Sequence, residues 1–122
     1  LVSAMGENKD GVLLALTASG PLVALARLEA LGKLAGGLNV KDLIVQASDV
    51  IVHVARVAPS GTRVSSIHEV AGVSKGLFVI EPLFAFVDDD GEPRFVGKGK
   101  VPAFCEDLQR RGIALDPQIF SQ

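Results

Sequence analysis

His53 and His68 are the only histidines in a chain of 122 residues, so any imidazole chemistry rests on those two. If the turn at Ala58-Pro59-Ser60-Gly61 closes an ordinary hairpin, His53 stands opposite Ser66. His53 and His68 are then diagonal neighbours on one face, roughly 7–8 Å apart, within reach of one metal ion only with favourable rotamers. A third ligand such as Glu69 points to the other face by strand alternation. Two packed or half-exposed imidazoles are therefore expected rather than a metal centre. Ser65, Ser66 and His68 bring a hydroxyl near an imidazole, but nothing resembles a nucleophile elbow and no acid is placed to orient His68. Cys105, beside Phe104 and a turn from Leu108, is expected to be small, buried and apolar rather than a nucleophile. Asp88-Asp89-Asp90-Gly91-Glu92 has the acidity of a calcium loop without its alternating ligands or distal Glu, and suits a solvated hairpin tip. Lys98, Lys100, Arg110 and Arg111 make a small basic region. It could steer the chain towards anionic lipid or an acidic partner, although a solvated surface is the simpler expectation.

The elements that must hold these residues follow from composition and pattern. Forty-eight per cent hydrophobic and 21% charged residues with a net charge of −2 exclude a disordered, highly charged chain and suit one domain with a real core. The near-neutral balance offers no basic face for nucleic acid. A single cysteine excludes a disulfide framework and fits a reducing cytoplasm. The longest uncharged stretch, Gly11 to Ala26, is broken by Gly20-Pro21 and falls short of the roughly 20 apolar residues of a membrane span. The opening Leu-Val-Ser, with neither Met nor a basic leader, reads as the start of a piece of something longer.

Val12 to Thr17 is a short apolar run between turn residues and predicts a buried strand. Ser19 is the expected N-cap, with Pro21 in the first turn, of a helix from about Gly20 to Ala35 that Gly36-Gly37 ends. A short helix is expected over Val40 to Ala47 with Asn39 as its cap. Asp49 to Val57, β-branched and almost continuously apolar, suits a central strand covered on both faces. Thr62 to Val70 and Leu77 to Val87 follow as strands, Pro82 marking a bulge or an edge position. Pro93 to Val96 is a last strand, and Pro102 opens a terminal helix to Arg111, closed by Gly112. The expected order is strand, two helices, an antiparallel meander and a helix.

One resemblance runs through the whole chain. Ala4-Met5-Gly6-Glu7-Asn8-Lys9-Asp10-Gly11, Leu13, Ala18, Pro21 and Ala24-Leu25-Ala26-Arg27-Leu28-Glu29 resemble the histidine-box region of the type II/type IV secretion ATPases. The likeness is strongest to the CpaF-type motors of Tad/Flp pilus assembly. It continues in Asp49-Val50-Ile51-Val52-His53-Val54-Ala55-Arg56, in Arg63 to Gly72, in Leu83-Phe84-Ala85-Phe86, in Pro102-Ala103-Phe104 and in Gly112 to Phe120. The register is kept almost without gaps from Ala4 to Phe120. The resemblance implies an α/β fold, the C-terminal portion of a RecA-like domain with an antiparallel meander and a terminal helix. It also implies a cytoplasmic hexamer, peripheral to the inner membrane, that uses ATP and Mg²⁺ and works with secretion or pilus platform proteins there.

The departures bear on chemistry. Gly97-Lys98-Gly99-Lys100 lacks the spacing and the hydroxyl of a phosphate-binding loop, and the acidic box would lie upstream, so this chain alone is expected to bind and hydrolyse no ATP. The family carries Thr-Gly-His before its Asp-Gly where this chain has Glu7-Asn8-Lys9, and its second histidine position holds Thr17. Polar positions of the following run have become Val12, Leu14 and Ala15, and an Arg-Asp pair has become Leu22-Val23. By resemblance, Lys9, Asp10, Gly11 and Thr17 are the residues nearest the nucleotide, in a degenerate box with impaired or lost catalysis. Arg27, Glu29 and Arg56 would be structural or interfacial. The competing expectation is a non-enzymatic module, either a pseudo-ATPase subunit or a standalone interaction domain. The apolar drift at Val12, Leu14, Leu16, Leu22 and Val23 is then either core or a contact surface.

Overall fold

The computed structural model describes residues 13–57, 61–89 and 91–121. In chain order these form α1 (Pro21–Leu34), α2 (Val40–Ala47), β1 (Val50–Val57), β2 (Gly61–Ser74), β3 (Leu77–Asp89), β4 (Glu92–Gly97), α3 (Phe104–Arg110) and a 3-10 turn (Pro117–Ser121). Helix and strand are mixed, and the strands make a four-stranded antiparallel sheet in the order β1-β2-β3-β4. That is the meander expected from the sequence. The chain divides into two compact units, one of residues 1–49 and 70–80, the other of residues 50–69 and 81–122.

In the first unit, α1 starts at Pro21, whose fixed φ suits the first helical turn. The cap is Gly20 rather than Ser19, and it makes no side-chain cap hydrogen bond. At the other end Gly36 takes φ +83 and its N–H donates to the Lys33 carbonyl, the left-handed exit that glycine adopts at no steric cost. α2 packs against α1 through Leu25, Val40 and Ile44, all buried. Gly32 allows the approach: a Cβ there would come 2.6 Å from Cγ1 of Val40. Glu29 closes the pair by meeting Nζ of Lys41 at 2.5 Å, which holds its carboxyl below the usual range. The same ammonium lies 5.5 Å from the centre of the Phe78 ring.

Two further expectations fail here and one in the second unit. Residues 13–17 form no strand. Leu13 is 98% exposed, so the apolar run that suggested a buried strand has no sheet of described residues to enter. The Asn39 cap of α2 is present in position only, since its backbone is left-handed (φ 55) and its side chain caps nothing. In the second unit β1 lies at the edge of the sheet among the described strands, not in its centre. Val52 and Val54 are each 52% exposed, so continuous apolar character did not mean two covered faces.

The second unit packs its aromatic residues at the β3–β4 end. β4 pairs with β3 from Phe84↔Gly97 to Asp89↔Glu92, so Pro82 lies in β3 just outside the stretch that β4 joins. Phe84 stacks on Phe95 with centroids 5.7 Å apart and meets Phe120 at 5.5 Å. Phe120 is buried in the 3-10 turn and its carbonyl accepts the Gly99 N–H. Leu83, Pro102 and Cys105 complete the core. α3 ends at Arg110 and Gly112 follows at φ +81, as the sequence predicted.

Candidate functional site

The hairpin of β1 and β2 sets the positions of the polar side chains. Pairing runs Val50↔Glu69, Ile51↔His68, Val52↔Ile67 and His53↔Ser66, then slips, so that Val54 faces Val64 and Ala55 faces Arg63. Ser65 is the extra residue of a β-bulge on β2. Because residues opposite or two apart share a face, His53, Ser66, His68 and Arg63 stand together on one side of the hairpin. His53 is central, with His68 diagonal to it on one flank and Arg63 on the other.

The bulge does more than shift register. Oγ of Ser65 lies 2.7 Å from Nδ1 of His53 and 3.2 Å from the His53 carbonyl oxygen. A hydroxyl has one hydrogen. If that hydrogen goes to the carbonyl, Nδ1–H of His53 donates to Oγ, which fixes the tautomer and leaves Nε2 to accept or, when protonated, to donate. His68 is in a drier place. Its Nδ1 is buried with no partner among the described residues, and burial first, then the charge of His53, holds its pKa below the ordinary 6.5. Arg63 lays its guanidinium 4.6 Å from the centre of the Phe86 ring, and its Nε is buried and unpartnered among the described residues. Such stacking is favourable for a guanidinium, yet it leaves the N–H groups to find acceptors elsewhere.

On the opposite face Glu69, only 6% exposed, accepts the Ala103 N–H at Oε1 (2.7 Å). Cys105 is buried close by, and its thiol is pushed up by burial and by the charge of Glu69. A thiol held protonated is a poor nucleophile.

Among the sequence-predicted site residues, Thr17 is exposed, in the irregular segment before α1, where its carbonyl accepts Nη1 of Arg27 at 2.6 Å. Lys9, Asp10 and Gly11 lie outside the described residues, as do part of the Ala58–Gly61 turn and Asp90. Three of the four side chains of the basic region are locally paired: Lys100 with Glu81 at 3.3 Å, Arg110 and Arg111 with Asp107 at 3.7 and 3.0 Å. No group of three or more His, Cys, Asp or Glu among the described residues could hold a metal ion. His53 does stand opposite Ser66 as the turn implied, but the serine that meets an imidazole is Ser65, and the imidazole is His53 rather than His68. Arg63 drew no attention as a site residue. Its place beside the histidines follows from the bulge, which no residue type announces.

No family model matches the chain, and no curated protein matches it. No helix among the described residues is long and apolar enough to cross a membrane.

Proposed function

We propose that this chain serves as the C-terminal portion of a secretion or pilus-assembly motor, in the RecA-like family of type II/type IV secretion ATPases and nearest its CpaF-type branch. The observation that carries the proposal is the ordered motif series, kept in register from Ala4 to Phe120 across both helices, the meander and α3. Its strand motifs, Asp49 to Arg56 and Arg63 to Gly72, fall on β1 and β2, which pair with each other.

In this reading the complete motor is a cytoplasmic hexamer, peripheral to the inner membrane and engaged with platform proteins there. ATP and Mg²⁺ are bound in the complete motor, with Lys9, Asp10, Gly11 and Thr17 nearest the nucleotide, and not by this chain alone. The histidine box has decayed at Lys9 and Thr17, so hydrolysis in this segment is impaired or lost. The test is made on the native gene product. A phosphate-binding loop and an acidic box encoded upstream of Leu1 in the same reading frame are expected, with ATP turnover that survives Lys9→Ala and Thr17→Ala. A reading frame without the loop would end the motor proposal. Turnover abolished by either substitution would end the claim of a decayed box.

A second reading, a non-enzymatic interaction module, is favoured by α1. That helix carries Leu22, Val23, Leu31 and Leu34 exposed, an apolar surface on a helix that is apolar nearly all round and suits being covered. The reading-frame experiment separates the two.

A further inference from the structure

His53, Arg63 and His68 lie within the strand motifs of the motor reading but are not among the residues it places nearest the nucleotide, and the chemistry of the face that carries them is that of an anion site. Three nitrogen-bearing side chains stand on one side of two paired strands, consecutive members being diagonal cross-strand neighbours roughly 7–8 Å apart. Nδ1 of His68 and Nε of Arg63 are buried without a partner among the described residues, and the Nε–H of Arg63, together with Nδ1 of His68 once its ring is protonated, is an expensive arrangement unless an acceptor joins it. Ser65 pins the His53 ring by its Nδ1, so Nε2 has a set direction. Phe86 holds the Arg63 guanidinium flat.

None of the three cationic or ionisable groups forms an ion pair among the described residues. The charged groups near them on each element are few. β1 offers His53 itself, with exposed Asp49 just before the strand, and β2 offers Arg63 and His68. On β3 the same face presents Phe84, Phe86 and, beyond them, exposed Asp88. Glu69 and Glu81 fall on the opposite alternation of their strands.

The geometry points to a phosphate-type oxyanion binding on this face, held by Arg63 and by the imidazoles of His53 and His68. A tetrahedral dianion can present separate oxygens to three donors, whereas a carboxylate has two oxygens in one plane. Linkage then gives a sign. An anion that binds the protonated imidazoles better than the neutral ones raises their pKa values and is itself bound more tightly as pH falls through the histidine range.

The experiment follows the two histidine ring C2–H signals by NMR in the whole chain, between pH 5.5 and 7.5. Inorganic phosphate is titrated against sodium chloride and sodium acetate at matched ionic strength. Expected are saturable shifts of both signals with phosphate alone, a rise of at least half a pH unit in the His68 titration midpoint, and affinity lowered at least tenfold in Arg63→Gln. If that variant fails to fold for want of the Phe86 contact, Arg63→Lys, which keeps the charge and loses the planar fork, is expected to weaken phosphate binding severalfold. Shifts that follow ionic strength equally in chloride and phosphate would overturn the site. So would acetate binding as tightly as phosphate, or an affinity indifferent to the Arg63 substitutions.

Discussion

Glu69 shows how much one buried side chain can carry. It is almost fully enclosed, and its described hydrogen bond is the one it accepts from the Ala103 N–H at the entrance to α3. Glu69→Ala removes that acceptor from the part-buried Ala103 N–H, and the loss of a hydrogen bond of this kind is expected to cost about 1–3 kcal/mol. Glu69→Gln keeps an acceptor and is expected to cost less, and urea denaturation of the two variants makes the comparison. His68 links stability to pH. Its folded pKa lies below the ordinary 6.5, so on acidification the unfolded chain takes up the proton first. Stability is therefore complete above that ordinary value and declines as pH falls through it towards the folded pKa. Thermal melts in a phosphate-free buffer from pH 7.5 to 5 should show the decline, and His68→Gln should remove its share of the slope. A slope unchanged by His68→Gln would assign the effect to other groups.

At the scale of elements, the close approach of β4 to the C-terminal turn is the most demanding contact. A Cβ at Gly97 would overlap the Phe120 carbonyl, a backbone group that cannot swing away. Gly97→Ala is expected to destabilise by about 1–3 kcal/mol, read as a lower denaturation midpoint with α1 and α2 still helical by circular dichroism. A variant as stable as the parent would mean that the 3-10 turn shifts freely. Much of this level was legible in the sequence. Pro21 and Gly36-Gly37 bracket α1 because a fixed φ starts a helix and a left-handed residue ends one, and these effects are local. The hairpin turn that contains Gly91 was readable for the same reason. The status of β1 was not. An apolar run says that a strand is favourable, while its place at the edge depends on which strands come to lie beside it. The slip at Ser65 was hidden likewise, since a bulge arises from the fit of two strands. The candidate site inherits that blindness: His53 and His68 were placed on one face by counting, but Ser65 and Arg63 joined them only through the slip.

For the molecule as a whole, the unresolved balance lies between core and surface. Leu22, Val23, Leu31 and Leu34 leave α1 largely uncovered, Leu34 at 85% exposure. The chain on its own should self-associate as its concentration rises, and Leu31→Glu with Leu34→Glu should reduce that association without loss of helix, because neither side chain belongs to the buried set around Leu25. Sedimentation velocity over a concentration series measures it, and an unchanged distribution in the double variant would place the sticky surface elsewhere. β1 adds a different hazard. No described strand pairs with its outer side, and six of the eight residues from Val50 to Val57 are Val, Ile or Ala, the make-up of a segment able to template copies of itself into fibrils. The bulge opposite His53 and Val54 accentuates the local twist, and a twisted edge stacks poorly on a flat neighbour. The bulge at Ser65 is therefore expected to slow such stacking. Deleting it would restore an unbroken ladder and straighten the edge, and dye-binding filaments should then form sooner than in the parent chain.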